Sequence, residues 1–196
     1  MGDTAEKLQY TREEYLMMEE SADDKSEFYQ GEIFAMSGGS RNHSVICTNL
    51  IRRIGESLDD KDCILFDGNM KVDIPKADAF VYPDISMVCG DIEFFEDRTD
   101  IIRNPVLIIE VLSPATQSFD RGEKFSYYRT LASVREYVLI SQHQPLIEVF
   151  YKHNENQWLY TVAKGTDDSI MLRTVPCRIF LKDIYLKTDW MQTEPK

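Results

Sequence analysis

Apolar positions along this chain follow two periods, and the switch between them marks its layout. Up to Leu58 the period is mainly helical. Thr11 and Glu14 form a capping box, with Tyr10 and Tyr15 placed as its hydrophobic staple, so a helix is predicted from there to about Glu20. Ser40 can cap a second helix, whose stripe is Cys47, Leu50, Ile51, Ile54 and Leu58. His43 lies four residues before Cys47, at the start of that helix. Between the two, Glu27 to Met36 reads as a hairpin turning near Gln30-Gly31.

From Cys63 onward strand patterns dominate. Cys63 to Ile74 predicts one or two strands around Asp67-Gly68-Asn69, and Pro75 to Ala79 a loop. Val81 to Cys89 predicts a strand interrupted early by Pro83. Asp91 to Asp100 is acidic, encloses Phe94 and Phe95, and reads as a flexible surface loop. The run Val106, Leu107, Ile108, Ile109, Val111, Leu112 is the most apolar in the chain and reads as a strand buried on both faces. Asp120 with Glu123 resembles a capping box, so a helix is predicted to begin there, with Lys124, Tyr128 and Leu131 on one face. That helix would carry Lys124 back towards the end of the preceding strand. Glu136 to Ser141 reads as a strand. From Leu146 strict alternation predicts an antiparallel meander, turning at Asn154-Glu155-Asn156 and again at Gly165 to Ser169. Phe180 to Leu186 suits a short terminal element. The order predicts an α/β or α+β fold. Its central mixed sheet would hold the Asp84 and Glu110 strands side by side, flanked by the Cys47–Leu58 and Lys124–Leu131 helices.

Length and composition narrow the class. A chain of 196 residues suits one domain, 1–196, with an ample core. A formal charge of -12 argues against coating nucleic acid through a broad basic surface, but leaves room for a small site. No apolar run approaches the roughly 20 residues that span a bilayer, and the N-terminus lacks a signal-peptide pattern. Cys47, Cys63, Cys89 and Cys177 lack metal-ligand spacing, and three lie in apolar segments. Buried thiols in a reducing cytoplasm are the expectation.

One residue in the buried run demands an explanation. Glu110 is a carboxylate in an apolar strand, which costs several kcal/mol unless compensated. Tyr82-Pro83-Asp84 offers a second carboxylate on a neighbouring strand, and Lys124 an ammonium nearby. Two carboxylates can hold magnesium, and a lysine beside them can orient or help deprotonate a water, which is equipment for metal-assisted phosphodiester hydrolysis. Plainer readings exist for each: Asp84 closing a turn, Glu110 and Lys124 as a structural ion pair, His43 at a core edge, Tyr128 packing with a satisfied hydroxyl.

Taken together, Tyr82-Pro83-Asp84, the segment Pro105 to Pro114 around Glu110, the Asp120…Lys124…Tyr128 helix and Glu136-Tyr137 resemble the Uma-two family of restriction-endonuclease-like proteins. That family lies within the PD-(D/E)xK nuclease superfamily, and the resemblance runs from about Tyr10 to Tyr185. It implies a restriction-endonuclease-like central mixed sheet with flanking helices. It also implies a magnesium-dependent endonuclease, with manganese as an alternative ion. Asp84, Glu110 and Lys124 would be catalytic, and Asp84, Glu110 and the Val111 carbonyl would bind metal. Glu32 in Gly31-Glu32-Ile33, His43 and Tyr128 would line the site. Where the superfamily pattern has lysine two residues after the glutamate, Leu112 stands here, and the resemblance implies that Lys124 replaces it. Nucleic acid is the implied partner, DNA ahead of RNA, with a homodimer as the assembly. A catalytically silent binding or assembly module on the same fold is the competing reading, favoured by the acidic charge and the displaced lysine.

Overall fold

The computed structural model describes residues 9–36, 38–114 and 116–189. Helix α1, Arg12–Ser21, begins at the predicted box. Glu14 N donates to Thr11 Oγ1 at 3.1 Å, and Thr11 N donates to Glu14 Oε2 at 2.8 Å. Strands β1 (Ser26–Tyr29) and β2 (Glu32–Ala35) form the expected hairpin, with both turn residues at positive φ, Gln30 at 48° and Gly31 at 86°. That is the turn whose twist suits two flanking strands. Helix α2, Arg41–Gly55, is capped by Ser40, whose Oγ accepts from His43 N at 3.1 Å.

Two sheets follow. The first has six strands in the order β11 (Gln157–Lys164), β10 (Leu146–Asn154), β9 (Glu136–Ser141), β8 (Leu107–Leu112), β6 (Ile85–Cys89) and β3 (Cys63–Asp67). It is mixed: β8 and β9 run parallel, and its other pairs are antiparallel. Ile85 of β6 lies opposite Ile109 of β8, so Asp84 stands one residue outside the ladder, next to Glu110. The neighbouring-strand expectation therefore holds. The second sheet has five strands in the order β2, β1, β5 (Ala79–Val81), β4 (Lys71–Ile74) and β7 (Ile101–Ile102).

Three expectations need correcting here. Val81 to Cys89 is two strands in different sheets, because Pro83 has no N–H for a ladder and the chain crosses between sheets at Tyr82-Pro83-Asp84. Cys63 to Ile74 is two strands around Asp67-Gly68-Asn69, within the expectation, and they too lie in different sheets. The acidic stretch is pinned: Phe94 bridges Ile102, and Phe95 packs edge-on against Phe80 at 5.2 Å. The third concerns the thiols. Cys63 and Cys89, directly opposite each other on β3 and β6, are joined by a disulfide, and Cys47 and Cys177 remain free.

The predicted meander forms for β10 and β11, with β9 antiparallel on the other side of β10. It then ends, because β12 (Ser169–Leu172) pairs only with β13 (Cys177–Phe180) in a separate two-stranded sheet. Ile170, Leu172 and Ile179 are buried in the core beneath α2, which draws this pair away from the sheet edge. A short helix α5, Leu181–Ile184, follows.

Strand β8 is buried on both faces, as its composition demands. Leu107, Ile109 and Val111 pack with Ile46, Leu50 and Ile54 of α2. Ile108 and Leu112 pack on the other side with Val72 and Val81 of the five-stranded sheet and with Tyr128 and Leu131. Each such side chain contributes roughly 1.5–3 kcal/mol of burial. So α2 flanks the sheet as predicted, but the opposite layer is largely a second sheet. The helix expected there is broken into a turn α3 (Gln117–Phe119), a π-helical turn at Asp120–Lys124 and a turn α4 (Phe125–Tyr128). Among the described residues no helix is long and apolar enough to cross a membrane.

Candidate active site

Alternation along β8 points Glu110 to the same face as Ile108 and Leu112, away from α2. There its Oε1 meets Lys124 Nζ at 3.0 Å and accepts the Tyr128 hydroxyl at 3.3 Å. Lys124 also lies 3.2 Å from Glu27 Oε1 and 3.9 Å from Asp120 Oδ1. Glu27 is fixed in turn by the Tyr29 hydroxyl at 2.7 Å and by Tyr82 N at 2.9 Å. All four charged side chains are buried: Glu110, Lys124, Asp120 and Glu27.

Asp84 closes the other end. Its Oδ2 accepts from Val111 N at 2.7 Å, and its Oδ1 lies 3.0 Å from His43 Nε2. Because β6 begins only at Ile85, the β6 side of β8 has no strand partner beyond Ile109, and Asp84 supplies one. In a strand the N–H and C=O of one residue point to the same side, so the Val111 carbonyl faces this gap too. Gln142 braces the end of β8, its Nε2 donating to Leu112 O at 2.9 Å.

Electrostatics at the site are unbalanced. One ammonium serves three carboxylates, Glu27, Glu110 and Asp120, with Asp84 close by. Burial drives Glu110 well above the ordinary carboxylate range, and Lys124 only partly offsets this while Asp120, Asp84 and Glu27 add to it. Asp120 is raised for the same first reason, burial. Burial alone would lower Lys124, but Glu110 and Glu27 outweigh it and hold the ammonium charged. His43 is raised by its hydrogen bond to Asp84. Burial next to Asp84 and Glu110 pushes the Cys47 thiol up. A group of oxygen ligands that is short of positive charge suits a hard cation such as magnesium. The donor set of Asp84, Glu110 and the Val111 carbonyl fits that requirement.

The structure brings together Asp84, Glu110, Lys124, Val111, His43 and Tyr128. Leu112 occupies the face where a strand lysine would stand, and Lys124 reaches Glu110 from the π-helical turn instead. Glu32 begins β2, opposite Tyr29, on the hairpin whose other strand supplies Glu27. The sequence reading missed Glu27, which no motif spacing marks. Its one signal was a carboxylate two residues before a tyrosine in a short apolar strand. Asp120 was read as a helix cap. It is instead buried within the π-helical turn, hydrogen-bonded to Thr116 and 3.9 Å from Lys124.

Comparison with known proteins agrees with this architecture. The Uma2 family, described as "Putative restriction endonuclease", matches residues 12–182. Two proteins of Synechocystis sp. are similar. "Uncharacterized protein sll1609" is 36% identical over 160 residues, 82% of this chain and 90% of that protein. "Uncharacterized protein slr1290" is 36% identical over 157 residues, 79% of this chain and 80% of that protein. A crystal structure from Anabaena variabilis, described as "a putative nuclease belonging to DUF820", superimposes with a TM-score of 0.74. It covers 90% of this chain and 97% of that one. At 18% identity that likeness is one of fold.

Proposed function

The chain belongs to the Uma2 family, and from that premise we propose that it is a magnesium-dependent endonuclease hydrolysing phosphodiester bonds in nucleic acid, DNA ahead of RNA. The observation that carries the reading is Glu110: a buried carboxylate beside Asp84, sharing its single ammonium with Glu27 and Asp120. Such an arrangement is costly by itself and is relieved by a bound cation.

In this proposal Asp84, Glu110 and the Val111 carbonyl hold the ion, with manganese able to replace magnesium. Bound there, the ion would supply Lewis-acid stabilisation of the phosphate charge and acidify a water. Lys124 stays protonated, so its role is to hold the attacking water or a phosphate oxygen by charge and hydrogen bonding rather than to take a proton. Glu27 and Asp120 fix the direction of that ammonium. Tyr128 holds Glu110 from the core side, and His43 holds Asp84. Burial of Glu110, Lys124, Glu27 and Asp120 excludes bulk water around the ammonium, which strengthens its interactions, while half-buried Asp84 and His43 lie on the open side. The site is of the PD-(D/E)xK type with the lysine supplied from outside the strand.

The proposal takes residues 1–196 as one domain. It takes a homodimer as the form that cuts both strands of a duplex, since a two-fold axis would place two sites against two antiparallel strands. Its setting is the cytoplasm, and the Cys63–Cys89 bridge is the observation that pulls against that, since cytosolic disulfides are rare.

The decisive experiment is a cleavage assay over single- and double-stranded DNA and RNA with magnesium or manganese, run on the parent and on Glu110→Gln. Metal-dependent cleavage by the parent alone supports the proposal. No cleavage of any substrate, with tight nucleic-acid or protein binding that Asp84→Ala leaves unchanged, would establish the silent binding module instead.

A further inference from the structure

On the α2 side of β8 lies a second set of ligand-type side chains that the magnesium reading leaves unused. His43 and Cys47 are four residues apart on α2, so they share one face of the helix. One ligand atom from each, together with a carboxylate oxygen of Asp84, all lie within 4.8 Å of one another. His43 Nδ1 is 3.7 Å from Cys47 Sγ, and His43 Nε2 is 3.0 Å from Asp84 Oδ1. Ligands around a tetrahedral zinc ion, with bonds of about 2.0–2.3 Å, stand roughly 3.3–3.7 Å apart. One ion takes only one ring nitrogen, and with one ligand atom from each residue the trio spans up to 4.8 Å, so the three side chains would draw in by about an ångström on binding. The chain also keeps the histidine's space clear. A Cβ on Gly39 would stand 2.9 Å from His43 Nδ1, so a side chain there would displace the ring. All three residues are half-buried, shielded yet reachable.

We propose that His43, Cys47 and Asp84 form a binding site for a borderline-soft divalent transition metal, zinc first among them. Its selectivity differs from that of the oxygen-lined site, with which it shares Asp84. Thiolate and imidazole ligands favour zinc, whereas magnesium takes oxygen and retains its waters. The balance is simple. The Cys47 S–H bond breaks, the proton leaves to solvent, and a sulfur–metal bond forms without any change of oxidation state. One thiolate and one carboxylate then neutralise the dication, and a water completes the four positions. Binding here does not depend on the nuclease reading. One consequence does rest on it: zinc would draw Asp84 away from magnesium and so silence cleavage.

The test uses the full chain, stripped of metal, with cobalt(II) and zinc alone as probes. The expected result is a near-ultraviolet thiolate-to-cobalt absorption that zinc abolishes. Zinc affinity should fall at least tenfold in Cys47→Ser and in His43→Ala, within the range of about 10–100-fold that even outer-shell changes produce. Cys177→Ser and Glu110→Gln should bind zinc as the parent does. Parent-like zinc affinity in Cys47→Ser, or an equal loss in Glu110→Gln, overturns the site. The Glu110→Gln protein also keeps the two readings apart. If it retains zinc binding and still cleaves, the magnesium assignment fails while the zinc site stands.

Discussion

Two buried carboxylates in this protein meet opposite circumstances. Asp73 of β4 is fully buried, and it has two guanidinium partners, Arg12 on Oδ1 and Arg103 Nε at 3.0 Å from Oδ2. Oδ2 meets Arg103 at ion-pair distance without hydrogen-bond alignment. Arg12 is itself seated over the Phe80 ring, 3.9 Å from its centroid. Arg12 also reaches Asp78 at 3.3 Å, so two guanidiniums face two carboxylates and charge balances there, and both arginines reach solvent. Glu110 has one partly shared ammonium and three acidic neighbours. The difference teaches that burial of a charge does not by itself mark a site. A carboxylate whose charge is matched by cations is a closed structural joint, whereas one with cations lacking is open to an added ion.

The sharpest way to break this comparison is to remove the open carboxylate. Glu110→Gln keeps shape and hydrogen bonding, so its far-UV circular dichroism should match the parent while cleavage falls by about 10²–10³, the loss typical of one electrostatic group in a catalytic site. Lys124→Ala should lose as much activity. It should also lose stability, since it strands Glu110 and Glu27. Lys124→Arg should recover little, because the guanidinium is larger than the buried space now filled by the ammonium. Undiminished cleavage in either Glu110→Gln or Lys124→Ala would make the cluster structural, like Asp73.

The closed carboxylate should behave in the opposite way. Asp73→Asn should lower stability by about 3 kcal/mol, the lower end for a broken buried pair, because its arginines can turn to water. For a chain of this size that is roughly 6–12 °C in Tm by calorimetry. Metal-dependent cleavage measured well below that temperature should be unchanged. A fall in magnesium affinity in Asp73→Asn would erase the distinction.

Added ion should separate the two more gently. Magnesium at ten times its Kd should stabilise the metal-free parent by about 1.4 kcal/mol, read as a rise in denaturant midpoint. Glu110→Gln should give no response, and Asp73→Asn a full one. Equal responses in the parent and Glu110→Gln would remove Glu110 from the metal site.

Asp84 stands between the two cases, since its partner His43 is a cation only when protonated. The folded-state value of His43 is raised by the Asp84 hydrogen bond. Its stabilising contribution is thus fully present below the unfolded value of about 6.5 and is lost as pH rises through the raised folded value. Without metal, the parent should exceed His43→Gln in denaturant midpoint more at pH 5.5 than at pH 8.5, and this should be the smallest of the four effects. A gap that widens with pH would mean that the neutral imidazole, not the imidazolium, is what Asp84 holds.

Much of this was written in local pattern. The Thr11 box, the Gln30-Gly31 hairpin, the Ser40-capped stripe and the β8 run each depend on neighbours within a turn or two, and each formed where expected. Glu110 and Lys124 were legible because a charge in an apolar run needs a partner. What escaped depends on which sheet a strand joins. Val81 to Cys89 shows one apolar rhythm, yet its halves part at Pro83, and nothing local says that they enter different sheets. Glu27 was missed for the same reason: its value comes from Lys124, Tyr29 and Tyr82, and the first and last of these lie far away in sequence. The Cys63–Cys89 pair is visible only once β3 and β6 are placed side by side.

The π-helical turn at Asp120–Lys124 gives the lysine a precarious address. A turn of this kind holds one residue more than an α-helix would, and each residue of a regular helix advances by about 100°. Deleting a single residue from Arg121 to Glu123 would let the segment relax to α geometry with Phe125–Tyr128 kept in register, so the change falls on the path from Asp120 to Lys124 and not on the helix behind it.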